Sequence, residues 1–324
     1  MEVANNTTIS SPLGLTERVS IGALYSIISL TGVFLQIIGI MAACRIKKSS
    51  KSTFHILLVN QSAAETTLFL TYLLYAAPCS FTGRKFLGDG FNFFIGLLQQ
   101  CAYMVSTYTT LLIAINRAIA LGLRHVIEAK LKVRIIWFMI VVFTWLISIA
   151  FIAVNVQWFC WATFDDQAFI FRAECAYRGQ APQQTPASVI NNVIIYGMAI
   201  AYAWCVYVIW SRRKIIHTTE AQRKINLYQK RLAYQAFCIW LGTAINPVAF
   251  AIIPMLLAGF IAALVTSATV LLRFFVTPIT IFVFWQEARQ NAKKMFCREV
   301  QVSQAPQNQL QSLGPSAILH QWIM

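Results

Sequence analysis

Seven stretches of this chain are apolar for more than twenty residues: 20–44, 54–77, 91–116, 135–156, 187–210, 232–253 and 261–285. An α-helix needs about 20 such residues to cross a bilayer, so each stretch is long enough to span. The expected fold is all-α, a seven-transmembrane helix bundle. Composition agrees: 58% of the 324 residues are hydrophobic and 11% charged, against about 25% charged in a soluble domain. A soluble chain, a disordered chain and a disulfide scaffold are excluded. The sixth and seventh spans are separated only by Pro254-Met255-Leu256-Leu257-Ala258-Gly259-Phe260, where Pro254 is expected to break the helix.

The loops alternate in charge. Segments 45–52, 117–134, 211–231 and 286–324 hold 4, 5, 7 and 4 Lys/Arg, whereas 1–19, 79–90, 157–186 and 254–260 hold 1, 2, 2 and 0. Twenty basic residues against five is a positive-inside signal. It places the N-terminus outside and the C-terminus in the cytoplasm, which points to an integral protein of the plasma membrane. The net charge of +15 thus marks sidedness. It serves attraction to anionic lipid or docking of an acidic cytoplasmic partner, and nothing suggests nucleic acid. Residues 1–19 form the extracellular N-terminus. They lack a basic segment followed by an apolar core, so the first span is expected to act as the targeting signal. Asn5 and Asn6 open two overlapping glycosylation sequons; Asn60-Gln61-Ser62 fits the pattern too, but lies within a span.

After the seventh span, residues 286–300 place Ala288, Ala292, Met295 and Phe296 on one stripe flanked by Arg289, Lys293 and Lys294. This predicts a short amphipathic juxtamembrane helix, with Cys297 a candidate for palmitoylation. Residues 301–324 are Gln-, Pro- and Ser-rich and are expected to be a disordered cytoplasmic tail.

A charged group inside a span costs about 2.5–3.5 kcal/mol, which singles out Glu65 and Arg273. Each lies about 12 residues, or roughly 18 Å, from the cytoplasmic end of its span. Opposite charges at one depth predict a buried ion pair, either a switch between two states or a static pair, unless water satisfies each separately. In span 3, Gln99, Tyr103, Ser106, Thr110 and Arg117 follow one helical face. Ser106 reaches the same depth and is expected to join the pair, unless it bonds its own backbone. Arg117, at the cytoplasmic end of that face, is either an anchor at the interface or a residue with a specific role. Pro247 in span 6 and Pro278 in span 7 each remove a backbone hydrogen bond and are candidate pivots or fixed bends.

Three cysteines lie outside: Cys79, Cys160 and Cys175. The exterior is oxidising, and Cys79 bridged to Cys160 or Cys175 would tie the second outer loop over the bundle mouth. That loop holds Trp158, Phe159, Trp161, Phe164, Phe169 and Phe171, which form either an apolar lid or an interfacial belt. Candidate ligand contacts beneath it are Gln99 and Tyr103 in span 3 and Asn191, Asn192 and Tyr196 in span 5. No enzyme signature is present. The four His residues, at 55, 125, 217 and 320, lie away from the middle of any span, so neither a metal nor another cofactor is expected. A small-solute transporter or channel is the rival function, although the internal symmetry of many transporters is missing.

Several short motifs resemble those of the rhodopsin-like G-protein-coupled receptors. Asn60-Gln61-Ser62-Ala63-Ala64-Glu65 resembles the span-2 motif of an Asn followed five residues later by an acid. Asn116-Arg117-Ala118 resembles the motif ending span 3, and Thr277-Pro278 the Asn-Pro motif of span 7. The Asn-Arg form of the span-3 motif is similar to that of the nematode serpentine chemoreceptors, class X. The resemblance covers residues 20–298. It implies a receptor for an extracellular small-molecule or peptide ligand. Coupling to a heterotrimeric G protein would run through the cytoplasmic ends of spans 3, 5 and 6, with Asn116, Arg117 and Pro278 in the switch. It also implies that Glu65 and Ser106 stand at the family's sodium site, where Arg273 would replace the ion. Position 92, where the family's span-3 cysteine would fall, is Asn, so Cys79 would have to substitute for it.

Overall fold

The computed structural model describes residues 14–45, 53–122, 131–158, 160–165, 169–175, 186–213, 220–257, 259–284 and 289–292. Its helices lie over the seven apolar stretches. Span 1 is α1 (Leu15–Cys44), span 3 is α4 (Gly88–Gly122), span 4 is α5 (Leu131–Trp158), span 5 is α6 (Pro186–Arg213) and span 6 is α7 (Glu220–Leu256). Span 2 is assembled from α2 (Thr53–Thr71), a π-helical turn over Tyr72–Ala76 and α3 (Ala77–Thr82). Span 7 is α8 (Gly259–Arg273) followed by α9 (Val276–Phe284). A hairpin of β1 (Cys160–Asp165) and β2 (Ile170–Cys175), antiparallel with Cys160 opposite Cys175, adds a small sheet to the expected all-α bundle.

The bundle is apolar outside and polar within. Ile27, Leu30, Phe34 and Ile37 of α1 are exposed, as are Phe138, Phe143 and Leu146 of α5 and Val193, Ile200 and Trp204 of α6. Ser29, Gln36, Asn60, Gln61, Glu65, Ser106, Thr110 and Asn246 are buried. Lipid tails solvate the outer face, and the polar groups must find partners inside. Among the described residues, four helical segments are long and apolar enough to cross a membrane: Leu15–Cys44, Ile135–Val156, Val189–Val208 and Leu264–Phe284. Spans 2 and 3 carry the densest sets of buried polar side chains, among them Asn60, Gln61, Ser62 and Glu65 in span 2 and Ser106, Thr107, Thr109 and Thr110 in span 3.

Close packing draws spans 1 and 2 together. A Cβ on Gly32 would sit 2.5 Å from the ring of Phe69, so only glycine allows this approach. Span 3 runs through the centre, against spans 2, 4, 5 and 6. Spans 6 and 7 part within the expected segment, between Leu256 and Gly259, but not at Pro254 itself: α7 continues through Pro247 and Pro254, and Leu257 N still donates to Ile253 O at 2.9 Å. A proline costs a helix one hydrogen bond but need not end it.

The interruption falls in span 7. Phe274 N and Phe275 N donate to Leu271 O and Leu272 O at 3.1 Å, tightening the chain into i→i−3 turns before α9 resumes. Pro278 supplies the cause, because it cannot donate to Phe274 O four residues back. The released carbonyl becomes a functional group.

Candidate functional site

Gln36 of span 1 fills the vacated bond. Its Nε2 donates to Phe274 O at 3.0 Å and to Glu65 Oε2 at 2.7 Å. Gln61 Nε2, one helical turn before Glu65, donates to Glu65 Oε1 at 2.5 Å and to Ser106 Oγ at 2.8 Å. Thr277 Oγ1, beside Pro278, donates to Glu65 Oε1 at 2.9 Å. Glu65 is 2% exposed and accepts from three side chains on spans 1, 2 and 7, while Gln61 extends the network to span 3. Charge-assisted bonds of this kind are about twice as strong as neutral ones, which is how a carboxylate can lie at the centre of the bundle. Next to it, Asn60 Nδ2 donates to Thr109 Oγ1 at 2.7 Å and Asn60 Oδ1 accepts from Trp145 Nε1 at 2.9 Å, tying spans 2, 3 and 4.

Ser106 therefore joins Glu65 through Gln61. A direct ion pair between Glu65 and Arg273 does not form, and this expectation is corrected. The two side chains interact through space without an N–O contact within 4.0 Å; the donors on Glu65 are amides and a hydroxyl. Equal depth in the membrane fixed their level but not their direction around the helix axis. Arg273 is buried, and its Nη1 and Nη2 have no hydrogen-bond partner among the described residues. Its guanidinium carbon lies 5.1 Å from the ring centre of Tyr103 and 5.2 Å from that of Phe274. Cation–π attraction of this kind contributes about 0.5–2 kcal/mol, below the several kcal/mol by which burial penalises an ion.

The hairpin lies over this region. Asn92 Nδ2 donates to Phe164 O at 3.0 Å, and Phe164 N donates to Asn92 Oδ1 at 2.9 Å. This reciprocal pair does the work of a covalent tether at the position where the resemblance led us to expect a cysteine. Gly96, one turn further along α4, makes room: a Cβ there would sit 1.8 Å from Ala162 O. Tyr25 Oη donates to Phe169 O at 2.8 Å, and Arg172 bridges Asp165 at 2.7 Å. Phe164 and Phe171 stack edge-on at 5.3 Å, with Tyr72 against Phe171 at 5.2 Å and Tyr75 against Phe164 at 6.0 Å. Tyr103, Phe164, Phe171 and Phe274 share one apolar cluster. A bridge from Cys79 is corrected: Cys79 is a buried thiol that forms no disulfide, and its Sγ accepts from Phe86 N at 3.3 Å. Cys160 is disulfide-bonded, and its cross-strand neighbour in the register is Cys175.

Near the C-terminal end of span 3, Arg117 is 3% exposed. Its Nη2 donates to Asn116 Oδ1 at 3.0 Å, and its guanidinium carbon stands 3.9 Å over the ring centre of Phe54 in span 2. Arg117 also lies within electrostatic range of Tyr202 and Cys205 in span 5. Ala118 packs on Cys205, Val208 and Ala233, and the Tyr202 ring meets Phe237 and Trp240 of span 6. Spans 2, 3, 5 and 6 converge here.

Of the expected ligand contacts, Tyr103 faces Arg273. Gln99 and Asn191 are half-buried, whereas Asn192 and Tyr196 are exposed on the outer face of span 5, Tyr196 at 70%. These last two are corrected, since they point away from the bundle. Gln36, Gln61 and Thr277 were not singled out as partners of Glu65, although an amide in the middle of an apolar span was the available signal. Asn5, Asn6, Cys297 and most of the amphipathic segment lie outside the described residues. Within 289–292, Asn291 Nδ2 donates to Ala42 O at 3.3 Å.

The family model for the serpentine-type 7TM GPCR chemoreceptor Srx matches residues 27–284. The crystal structure of squid rhodopsin aligns over 92% of this chain and 90% of that chain, with a TM-score of 0.71 at 14% identity; this shows the seven-helix fold. No curated protein matches the sequence. The fold and the family give no support to a transporter. This integral membrane chain belongs to the Srx family of serpentine seven-transmembrane GPCR chemoreceptors.

Proposed function

We propose that this chemoreceptor takes a small molecule from outside, beneath the β-hairpin, and passes the signal to a heterotrimeric G protein at the cytoplasmic ends of spans 3, 5 and 6. The observation that carries this reading is the Glu65 network. It joins spans 1, 2, 3 and 7 across the break in span 7, so rotation of α8 against α9 must redistribute those bonds. Ligand binding above then biases two arrangements of the bundle. Arg117, with Asn116, is the switch at the inner end, and Thr277-Pro278 is the hinge. The N-terminus lies outside and the C-terminus in the cytoplasm of a plasma-membrane receptor. That orientation puts the sequons at Asn5 and Asn6 on the glycosylated side and Cys297 within reach of palmitoylation at the inner leaflet.

The test is guanine-nucleotide exchange on heterotrimeric G proteins by the full chain in nanodiscs. Wild type is expected to accelerate exchange, and Arg117→Ala to lower it by about tenfold or more at equal surface expression. An equal rate in both would refute the switch. Labelling of an N-terminal tag on intact cells checks the orientation, which access only after permeabilisation would contradict.

A further inference from the structure

We infer that Arg273 is the counter-ion for a small organic anion, and that the ligand of this receptor carries a carboxylate held by its guanidinium beneath the hairpin. The inference rests on the receptor reading above and supplies its ligand class. Four observations support it. Arg273 is 7% exposed, and both terminal nitrogens lack an acceptor among the described residues. The acid at its level, Glu65, is already bound by Gln36, Gln61 and Thr277. The guanidinium carbon lies over two aromatic rings, 5.1 Å from the centre of Tyr103 and 5.2 Å from that of Phe274, and neither residue accepts a hydrogen bond from its terminal nitrogens. These rings belong to the same apolar cluster as Phe164 and Phe171 of the hairpin.

A guanidinium presents its N–H donors in a planar fork that matches a carboxylate in two parallel bonds. Burial in an aromatic site strengthens such a pair by lowering the local dielectric. The same burial makes an unpaired cation costly, so the anion-free receptor holds a charge that binding relieves. The aromatic walls suit an apolar body attached to the acid. A neutral isostere such as a primary amide keeps the shape and loses the charge. The site should therefore discriminate an acid from its amide more sharply than one acid from the next.

The experiment is thermal unfolding of the purified full chain in nanodiscs. The probes are sodium acetate, hexanoate, octanoate, benzoate and phenylacetate, each beside its primary amide at matched ionic strength. At least one saturating acid is expected to raise Tm by about 4 °C or more over its amide. Arg273→Met should abolish that shift, and Arg273→Lys should keep a reduced one. Without any acid, Arg273→Met should unfold at or above the wild-type temperature, because the uncompensated cation is gone. Three results overturn the inference: no acid-specific shift in wild type, an equal shift in Arg273→Met, or a failure of Arg273→Met to fold, which would reveal an internal partner for the guanidinium. Basal nucleotide exchange by the wild-type preparation separates the two readings. An acid-blind receptor that still drives exchange refutes only the anion site, whereas a preparation without exchange speaks against the receptor reading itself.

Discussion

Arg117 and Arg273 are both buried in this bundle, and their surroundings differ. Arg117 donates to Asn116 Oδ1 at 3.0 Å and stands 3.9 Å over Phe54, among side chains of spans 2 and 5. Arg273 has two rings at more than 5 Å and no acceptor for its terminal nitrogens among the described residues. An arginine held by its own chain reports the positions of helices, and its bonds can change only when the helices move. An arginine left open reports what enters from outside. The Arg117 end of this receptor is built in the first way and the half under the hairpin in the second, with the Glu65 network between them.

The largest effect is expected at that network. Glu65→Ala removes the acceptor of Gln36, Gln61 and Thr277 and should cost about 3–5 kcal/mol of stability, read as a lower Tm and poor surface expression. A change under about 1 kcal/mol would mean that the bundle does not depend on this centre, and the contrast between the two arginines would lose its middle term. Next comes the hairpin over the open arginine. Asn92→Ala breaks two bonds to the Phe164 backbone and should cost about 1–3 kcal/mol. Hydrogen exchange at the Phe164 amide should rise in proportion; unchanged protection would mean the aromatic contacts hold the lid unaided. Gly96→Ala should act in the same range by steric overlap with Ala162 O, and an unchanged Tm would show that the strand is free to shift. The smallest effect belongs to Trp145→Phe, which loses only the bond to Asn60 Oδ1, for about 0.5–1.5 kcal/mol. Its Tm sharpens the comparison by measuring an ordinary interhelical bond on the same scale.

Much of this could be read from the chain alone, and the particular residues show where the reading stopped. Hydropathy and the charge of the loops located seven helices, because the bilayer imposes one length and one sidedness rule on every span. Insertion cost singled out Glu65 and Arg273, and helical spacing brought Ser106 to their level. Depth, however, is one coordinate of two. The direction of a side chain around its helix depends on how neighbours pack, so Glu65 turned to amides and a hydroxyl while Arg273 turned to rings. Asn192 and Tyr196 failed for the same reason: α6 is apolar around much of its circumference, and the sequence does not mark its inner face. Gln36 was hidden because its role depends on Phe274 O, which only the break at Pro278 sets free, and Thr277 because its reach to Glu65 depends on how spans 2 and 7 pack. The loop between spans 4 and 5 was legible as an aromatic segment, either a lid or an interfacial belt, but not as two strands, since its place is set by contact with Asn92 and Gly96 far away in sequence.

The central claim is that Glu65 is satisfied by its neighbours while Arg273 waits for an anion, and a double-mutant cycle tests it most directly. Unfolding of wild type, Glu65→Ala, Arg273→Met and the double variant in anion-free buffer gives the coupling between the two charges. We expect Glu65→Ala to be strongly destabilised, Arg273→Met to be as stable as wild type or more so, and the coupling to stay below about 1 kcal/mol, as suits a through-space interaction. Two single variants that each lose about 3–5 kcal/mol, with a double variant no worse than either, would be the signature of a buried ion pair and would contradict the account.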